Sequence, residues 1–115
     1  MNDKVDPADN SDALIRLREQ SPKILNHYGK AAQTNKTLEE LAELIFSICK
    51  WQTEVTKGEE ANIEIYYNIQ EEIADCLIML YQIRAAYGFV EVDQKIHSKL
   101  DRTLLRIDYS KWQTS

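Results

Sequence analysis

Residues 62–87 read NIEIYYNIQEEIADCLIMLYQIRAAY, and apolar side chains recur in this stretch at every third or fourth position. That spacing is typical of an α-helix with one apolar side. A turn at 57–60 precedes the helix, and Gly88 is expected to end it. The residues expected to face the protein interior are Ile65, Ile69, Ile73, Cys76, Leu77, Leu80, Ile83 and Tyr87.

Helical patterns also flank this stretch. Thr37-Leu-Glu-Glu40 has the form of a capping box and predicts the start of a second long helix that ends near Thr56. Before it, a helix from about residue 12 to Tyr28-Gly29 is expected to be broken at Ser21-Pro22, because Pro favours the first helical turn. A last helix is predicted over about 91–107. The inward positions predicted for the second and last helices are Leu38, Leu41, Leu44, Ile45, Ile48, Val55, Val92, Ile96, Leu100 and Leu104.

Length and composition indicate a single helical domain. The chain has 115 residues, 43% of them apolar and 29% charged, with three Gly and two Pro. This length suits one hydrophobic core, and so few Gly and Pro favour helices. We therefore predict an all-α bundle of about four to five helices, with a single domain at 12–108 between tails at 1–11 and 109–115.

The composition also argues against several partners and locations. No apolar run reaches the roughly 18 residues of a membrane span, and the acidic N-terminus lacks the apolar core of a signal peptide, so we expect a cytoplasmic protein. A net charge of −5 disfavours binding to a nucleic acid polymer. Cys49 and Cys76 are expected to be free thiols packed on inner helix faces.

Two acidic pairs are the strongest functional signal. Glu40 and Glu43 are three residues apart, as are Glu72 and Asp75, so each pair leaves one side of its helix. If the two helices pack antiparallel, the pairs converge. No cation lies three or four residues from Glu43 or Asp75. Four carboxylates that converge from two helices favour a hard divalent cation with oxygen ligands, above all Mg²⁺ or Mn²⁺.

Simpler roles exist for individual members of this set. Glu40 occupies the third helical position of the capping box, where it could serve only to cap the helix. Asp75 is harder to explain in that way, because it interrupts an apolar run in the middle of a helix, where Asp is unfavourable.

Basic and aromatic residues are candidates for binding a phosphorylated ligand. Lys95, Lys99, Arg102 and Arg106 form a basic stripe on the last helix, which could bind phosphate or form the solvated flank of an amphipathic helix. Lys50 lies on the flank that carries Glu40 and Glu43. Its neighbour Trp51 could stack on a nucleobase or pack at an interface.

Glu40-Leu-Ala-Glu43 and Glu72-Ile-Ala-Asp75 form an ExxE and an ExxD motif separated by 28 residues, 44 to 71. These paired motifs resemble those of the MazG-like, all-α nucleoside triphosphate pyrophosphohydrolases. The resemblance extends over about residues 24–107, although the stretch 51–67 has no counterpart. The residues that carry it besides the motifs are Tyr28-Gly29, Gln33, Ile48-Cys-Lys50, Tyr87-Gly88 and Lys99-Leu-Asp-Arg102.

The resemblance implies hydrolysis of a nucleoside triphosphate to the monophosphate and pyrophosphate. It further implies that Glu40, Glu43, Glu72 and Asp75 hold Mg²⁺ and serve catalysis, with Mn²⁺ as a substitute. Lys50, Lys99 and Arg102 would then steady the triphosphate. Because members of this family assemble as dimers or tetramers, a homodimer or homotetramer is expected, with basic residues supplied within one chain or across the interface.

Two other classes of protein were weighed against this one. A di-iron carboxylate bundle uses Glu-x-x-His pairs, and neither His27 nor His97 follows a Glu at that spacing. A non-catalytic helical module that binds nucleotides or another protein remains open. Stabilisation by Mg²⁺ or Mn²⁺ would separate a metal site from a plain helical module.

Overall fold

The computed structural model describes residues 7–58, 60 and 62–114, and within these ranges the chain is all-helical. It has four helices, α1 (Pro7–Tyr28), α2 (Lys30–Thr56), α3 (Ile63–Tyr87) and α4 (Phe89–Thr114). No strand occurs among these residues. The prediction of an all-α fold with about four helices is therefore confirmed.

The first helix is continuous, so the predicted break at Ser21-Pro22 was wrong. Pro22 lies inside α1, where it cannot donate a backbone hydrogen bond. Ser21 is only 2% exposed, and we infer that packing of this turn offsets the cost of the proline. The predicted tail also needs correction, because α1 already begins at Pro7. Residues 1–6 of that tail lie outside the described ranges.

The second helix begins well before the predicted capping box. Gly29 has φ 91 and separates α1 from α2, which starts at Lys30. Thr37 lies inside α2, and its hydroxyl donates a 2.7 Å hydrogen bond to the backbone carbonyl of Gln33, one turn earlier. The hydroxyl thus bonds back along the helix, as Thr does within helices. Glu40 is not a capping residue, which removes the simple explanation for its carboxylate.

The third and fourth helices meet at a sharp corner. Asn62 caps α3 by accepting a 2.9 Å hydrogen bond from the backbone N–H of Glu64. Gly88, with φ 104, ends α3 as predicted, and α4 departs at 114°. Arg84 spans the corner by donating hydrogen bonds of 2.8 and 2.6 Å to the carboxylate of Asp93. α4 runs to Thr114, so the predicted helix end at 107 was wrong, and residues 109–114 of the predicted tail are helical.

A polar seam joins α2 and α3. The buried residues of α2 are Gln33, Thr37, Glu40 and Ser47, and those of α3 are Cys76, Met79 and Gln82. Gln33 donates a 2.8 Å hydrogen bond from its side-chain amide to Oε1 of Gln82. Cys76 and Met79 are the buried apolar residues in the described part of the chain. The core of this single chain is therefore small and largely polar.

The apolar stripes predicted to face inward mostly face outward. The polar seam occupies the side of α2 that contacts α3, so the apolar stripe of α2 lies beside that contact. The apolar stripe of α3 is only partly covered, by grooves that it forms with α1. Cys49, expected to be packed, is exposed as well. The other exposed residues among those predicted to be inside are Leu38, Ile45, Ile48, Val55, Ile73, Leu77, Leu80, Tyr87, Ile96, Leu100 and Leu104.

α3 lies between α2 and α1 and contacts all three other helices. Cys76 and Met79 of α3 lie in the seam with α2, whereas Ala74, Leu77 and Ile78 line a groove against α1. At 100° per residue these two sets leave α3 on roughly opposite sides. Among the four helices, α4 packs against α3 alone. No single described helix meets the length and hydropathy of a membrane span, although the bent pair α3–α4 does when its two helices are taken together.

Candidate metal centre

Three glutamates from two helices meet at the middle of the α2–α3 seam. Glu40 and Glu43 project from consecutive turns of α2, and Glu72 projects from α3. Each residue offers a carboxylate oxygen, and the three oxygens lie within 4.8 Å of one another. The prediction that these residues converge assumed that α2 and α3 are antiparallel. The paired contacts Gln33–Gln82 and Glu40–Cys76 show that they are.

Two carboxylate oxygens at this site are buried without a hydrogen-bond partner. They are Oε2 of Glu40 and Oε2 of Glu72, and the Glu40 residue is 93% buried, being 7% exposed. A buried carboxylate without a partner carries a large desolvation cost, so nearly all such groups in proteins are paired. A bound cation would satisfy both oxygens.

The electrostatics of Glu72 reflect the same crowding. Burial raises the pKa of the Glu72 carboxyl above its usual value, and the charges of Glu43, Glu40 and Asp75 raise it further, together with a hydrogen bond to Glu43. Each of these effects disfavours the ionised form in the absence of a positive charge. The cluster is therefore organised in a way that a cation would stabilise.

Lys36 partly compensates the cluster, and the sequence analysis overlooked it. Its ammonium lies 3.1 Å from Oε1 of Glu40 and 3.7 Å from Oε2 of Glu39. The hydrogen bond to Glu40 and the nearby carboxylates raise the pKa of Lys36. Its position four residues before Glu40 was a visible signal. With Lys36 counted, the carboxylates of the site still carry a net negative charge, which a divalent cation would reduce.

Asp75 lies at the margin of the cluster. It is exposed and is not part of the group of three glutamates. Its charge nevertheless contributes to the raised pKa of Glu72. Its role as a fourth metal ligand stays a prediction.

The thiol of Cys76 is hydrogen-bonded to the backbone of the glutamate cluster. It is 3% exposed and donates a 3.3 Å hydrogen bond to the backbone carbonyl of Glu40. Burial raises the pKa of this thiol, and the charges of Glu40 and Glu72 raise it further. It therefore stays protonated and ties α3 to α2 at the height of the glutamates.

The predicted ligand-binding residues divide into two groups. Lys50 and Trp51 lie on α2, the helix that carries Glu40 and Glu43. Trp51 is half-buried, and its ring lies 5.6 Å from the ring of Tyr66, between centroids. No signal in the sequence pointed to Tyr66, because its contact with Trp51 depends on how α2 and α3 pack against each other.

Lys99 and Arg102 are exposed on α4, which contacts neither α1 nor α2. They are not brought to the glutamates within one chain. Two open grooves, of about 500 and 570 Å³, lie between α1 and α3, the second also lined by residues of α4, and neither includes any of the three glutamates. Their walls are mainly apolar, so they differ in kind from the carboxylate site.

No family model, curated protein or solved structure matches this chain. The class of protein must therefore be argued from the site. A hard cation with oxygen ligands from two packed helices can bind phosphate oxygens and activate a water. These are the chemical capacities that the described residues offer.

Proposed function

We propose that this protein is a metal-dependent nucleoside triphosphate pyrophosphohydrolase of the MazG-like kind. The observation that carries the proposal is the convergence of Glu40, Glu43 and Glu72 with two buried, unpaired carboxylate oxygens. The paired ExxE and ExxD motifs on antiparallel helices add the reaction class. Free nucleoside triphosphates as substrates suit a cytoplasmic protein.

The donor set fits Mg²⁺ or Mn²⁺. All its ligand atoms are carboxylate oxygens, and the cluster keeps a net negative charge after Lys36 is counted. Glu40, Glu43 and Glu72 would hold the ion, with Asp75 one turn along α3 as a further ligand. When bound, the metal supplies charge neutralisation at the phosphate oxygens and lowers the pKa of a coordinated water.

The remaining chemistry belongs to side chains of the protein. The reaction adds water across the anhydride between the α and β phosphates, so that one phosphorus gains the oxygen and the pyrophosphate leaves. One carboxylate of the site would accept the proton of the attacking water. Lys50, Lys99 and Arg102 would balance the charge that collects on the pyrophosphate.

The base of the nucleotide would stack on Trp51. This residue lies two turns beyond Glu43 on α2, about 12 Å along the helix axis at 1.5 Å per residue, which suits the reach from a triphosphate to its base. Tyr66 packs against Trp51 and would hold its ring in place.

The decisive experiment measures pyrophosphate release from canonical ribonucleoside and deoxyribonucleoside triphosphates, with Mg²⁺ and then with EDTA. We expect metal-dependent release together with the corresponding monophosphate. Asp75→Asn keeps the side-chain volume and removes one charge, so it should weaken metal binding by about tenfold or more. Unchanged turnover and metal affinity in this variant would remove Asp75 from the site.

A nucleotide-binding module without turnover is the second candidate. It is favoured by the position of α4, because Lys99 and Arg102 lie away from the glutamates of the same chain. For a hydrolase, these residues would have to approach from another copy of the chain. Stabilisation by Mg²⁺ without release of pyrophosphate from any substrate would select this alternative.

A further inference from the structure

Lys36 is the cation that the described chain places at the glutamate cluster. Its ammonium lies 3.1 Å from Oε1 of Glu40, and no other ion pair among the described residues involves Glu40, Glu43 or Glu72. The side chain of Lys36 is 49% exposed, whereas that of Glu40 is 9% exposed. Lys36 therefore lies at the edge of the site, with one side toward the cluster and the other toward solvent.

Glu40 separates Lys36 from the interior of the cluster. Its Oε1 accepts the ammonium, while its Oε2 is buried and has no hydrogen-bond partner. The two oxygens are thus placed for two different positive groups, Lys36 at the edge and the proposed cation inside. When Glu40 also binds a cation, its single negative charge is shared, so its attraction for Lys36 weakens. The half-exposed ammonium can then bind another anion.

Helix stability gives little reason for this ion pair. Pairs of charges four residues apart stabilise a helix only slightly, and the more favourable order has Glu before Lys. Here Lys36 precedes Glu40, which is the less favourable order. The pair is therefore better explained by the charge of the site than by the stability of α2.

Lys36 also stands at one end of a line of site residues along α2. At 100° per residue, a sector of about 80° around this helix contains Lys36, Glu40, Glu43 and Trp51. Lys36 precedes Glu40 by about 6 Å along the axis, and Trp51 follows Glu43 by about 12 Å. The two glutamates of α2 thus lie between a cation and an aromatic ring on one side of the helix.

The other basic residues assigned to the phosphates lie elsewhere. Lys50 adjoins Trp51, on the far side of the glutamates from Lys36. Lys99 and Arg102 lie on α4, which does not contact α2. With the base on Trp51 and the phosphates at the glutamates, the terminal phosphates extend toward Lys36.

We propose that Lys36 binds the terminal phosphates of the nucleotide, which therefore lies along α2 with its base toward Trp51 and its pyrophosphate end toward Lys36. The inference rests on the proposed function and adds to it a phosphate-binding residue and the direction of the substrate. Lys36 is then a ligand of the leaving pyrophosphate, whose negative charge grows as the anhydride bond breaks.

Calorimetry with the two products tests this direction without requiring turnover. Lys36→Gln should weaken the binding of inorganic pyrophosphate in the presence of Mg²⁺ by about tenfold and leave the binding of the four ribonucleoside monophosphates unchanged. Trp51→Ala should show the reverse pattern. Lys36→Arg keeps the charge and should restore most of the pyrophosphate affinity. Lys23→Gln, which removes an exposed lysine of α1, is the control and should leave both products bound as in the wild type.

A purely structural ion pair predicts a different result. In that case Lys36→Gln would change the thermal midpoint or the affinity for Mg²⁺ but not the affinity for pyrophosphate, and the proposal would be overturned. Equal weakening of both products by either variant, or a wild type that binds no pyrophosphate with Mg²⁺, would also overturn it. If the wild type binds pyrophosphate through Lys36 but cleaves no triphosphate, the proposed hydrolysis fails and the phosphate site stands.

Discussion

Glu40 and Glu72 each bury one carboxylate oxygen that accepts no hydrogen bond, in a chain where the neighbouring polar side chains of the seam are paired. Lys36 reaches the other oxygen of Glu40, so the unpaired atoms point to a missing partner within the seam rather than to a poorly packed surface. For Glu72, burial and three surrounding carboxylates act in the same direction on its pKa. The site is therefore costly to keep without a cation.

Glu72→Gln should abolish the function of the site and at the same time relieve the destabilisation that its clustered carboxylates cause. Removing this carboxylate relieves repulsion, so the metal-free protein should unfold at an equal or higher temperature than the wild type at neutral pH. Stabilisation by Mn²⁺ should be lost, and pyrophosphate release should fall by about 10²-fold or more. Thermal unfolding and turnover are the measurements.

Glu71→Gln is the matched control, because Glu71 is the adjacent, exposed residue of α3 and is not part of the glutamate cluster. It should keep both the metal response and turnover. Equal losses in the two variants would mean that general charge, and not the cluster, accounts for the effect.

Much of the site could be predicted at the scale of the residue. The spacing of three between Glu40 and Glu43 fixes their common side in any helix, and the same holds for Glu72 and Asp75. What the spacing cannot give is the side-chain conformation that brings Glu72 to the cluster and leaves Asp75 exposed. That outcome depends on the packing distance between α2 and α3.

At the scale of the element, the turns between helices determine how the helices are arranged. Gly88 has φ 104, and a Cβ atom added there would lie 3.3 Å from Oε2 of Glu91. The corner combines a backbone conformation that L-residues avoid with a close side chain. Arg84 then fixes the direction of α4 through its paired hydrogen bonds to Asp93.

Gly88→Ala should destabilise the protein by about 1 to 2 kcal/mol, mainly through the positive φ. Gly29→Ala is a useful comparison, since Gly29 has φ 91 but open space around its Cα. Gly29→Ala should show only the destabilisation that comes from the positive φ. Its loss of unfolding free energy should therefore be no larger than that of Gly88→Ala. Chemical denaturation of the three proteins gives the ranking, and wild-type stability in Gly88→Ala would contradict the assigned strain.

The Arg84–Asp93 pair should make stability depend on acid pH. Its hydrogen bonds and charge lower the pKa of Asp93 below the ordinary value of 3.8. The pair's contribution is therefore complete above pH about 3.8 and is lost as the pH falls through the lowered pKa. Asp93→Asn should be less stable than the wild type at pH 5, and the difference should shrink steadily on acidification. A difference that does not change with pH would exclude the ion pair as its cause.

The elements themselves were predicted better than their ends. The structure has the helix boundaries at Gly88, at Asn62 and in the turn after Thr56, as predicted. Each of these boundaries depends on local backbone and side-chain chemistry that needs no tertiary contact. The capping box at Thr37 failed because residues 30–36 continue the helix toward Gly29, which leaves the Thr hydroxyl to bond within it. Pro22 failed as a break because the packing of α1 holds the helix through it.

At the scale of the whole molecule, the helical pair α2 and α3 presents two unlike faces, one apolar and one acidic. Sequence periodicity identified the apolar stripes, but it could not say whether another part of the same chain covers them. The buried polar side chains of α2 face α3, so the apolar stripe of α2 is rotated away from that contact. The identity of the fold was thus predictable, whereas the direction of its apolar face was not.

Metal binding should be visible in the stability of the whole protein. A cation that binds only the folded state at one hundred times its Kd adds about 2.7 kcal/mol, which corresponds to a rise in Tm of roughly 10 to 20 °C for a domain of this size. Mn²⁺ should raise the midpoint and EDTA should reverse the rise. Protein concentration must be held constant, and KCl of equal ionic strength serves as the control. An equal rise with KCl would indicate charge screening alone.

The amide pair Gln33–Gln82 has a further consequence for the glutamates. Two helices that meet through smooth apolar side chains can slide by a turn at little cost, since one Leu replaces another. Here a shift of one turn, about 5.4 Å, would break the bond between them and leave Nε2 of Gln33 and Oε1 of Gln82 in the interior without each other as partners. The pair thus fixes the register of α2 against α3 and keeps Glu72 level with Glu40 and Glu43.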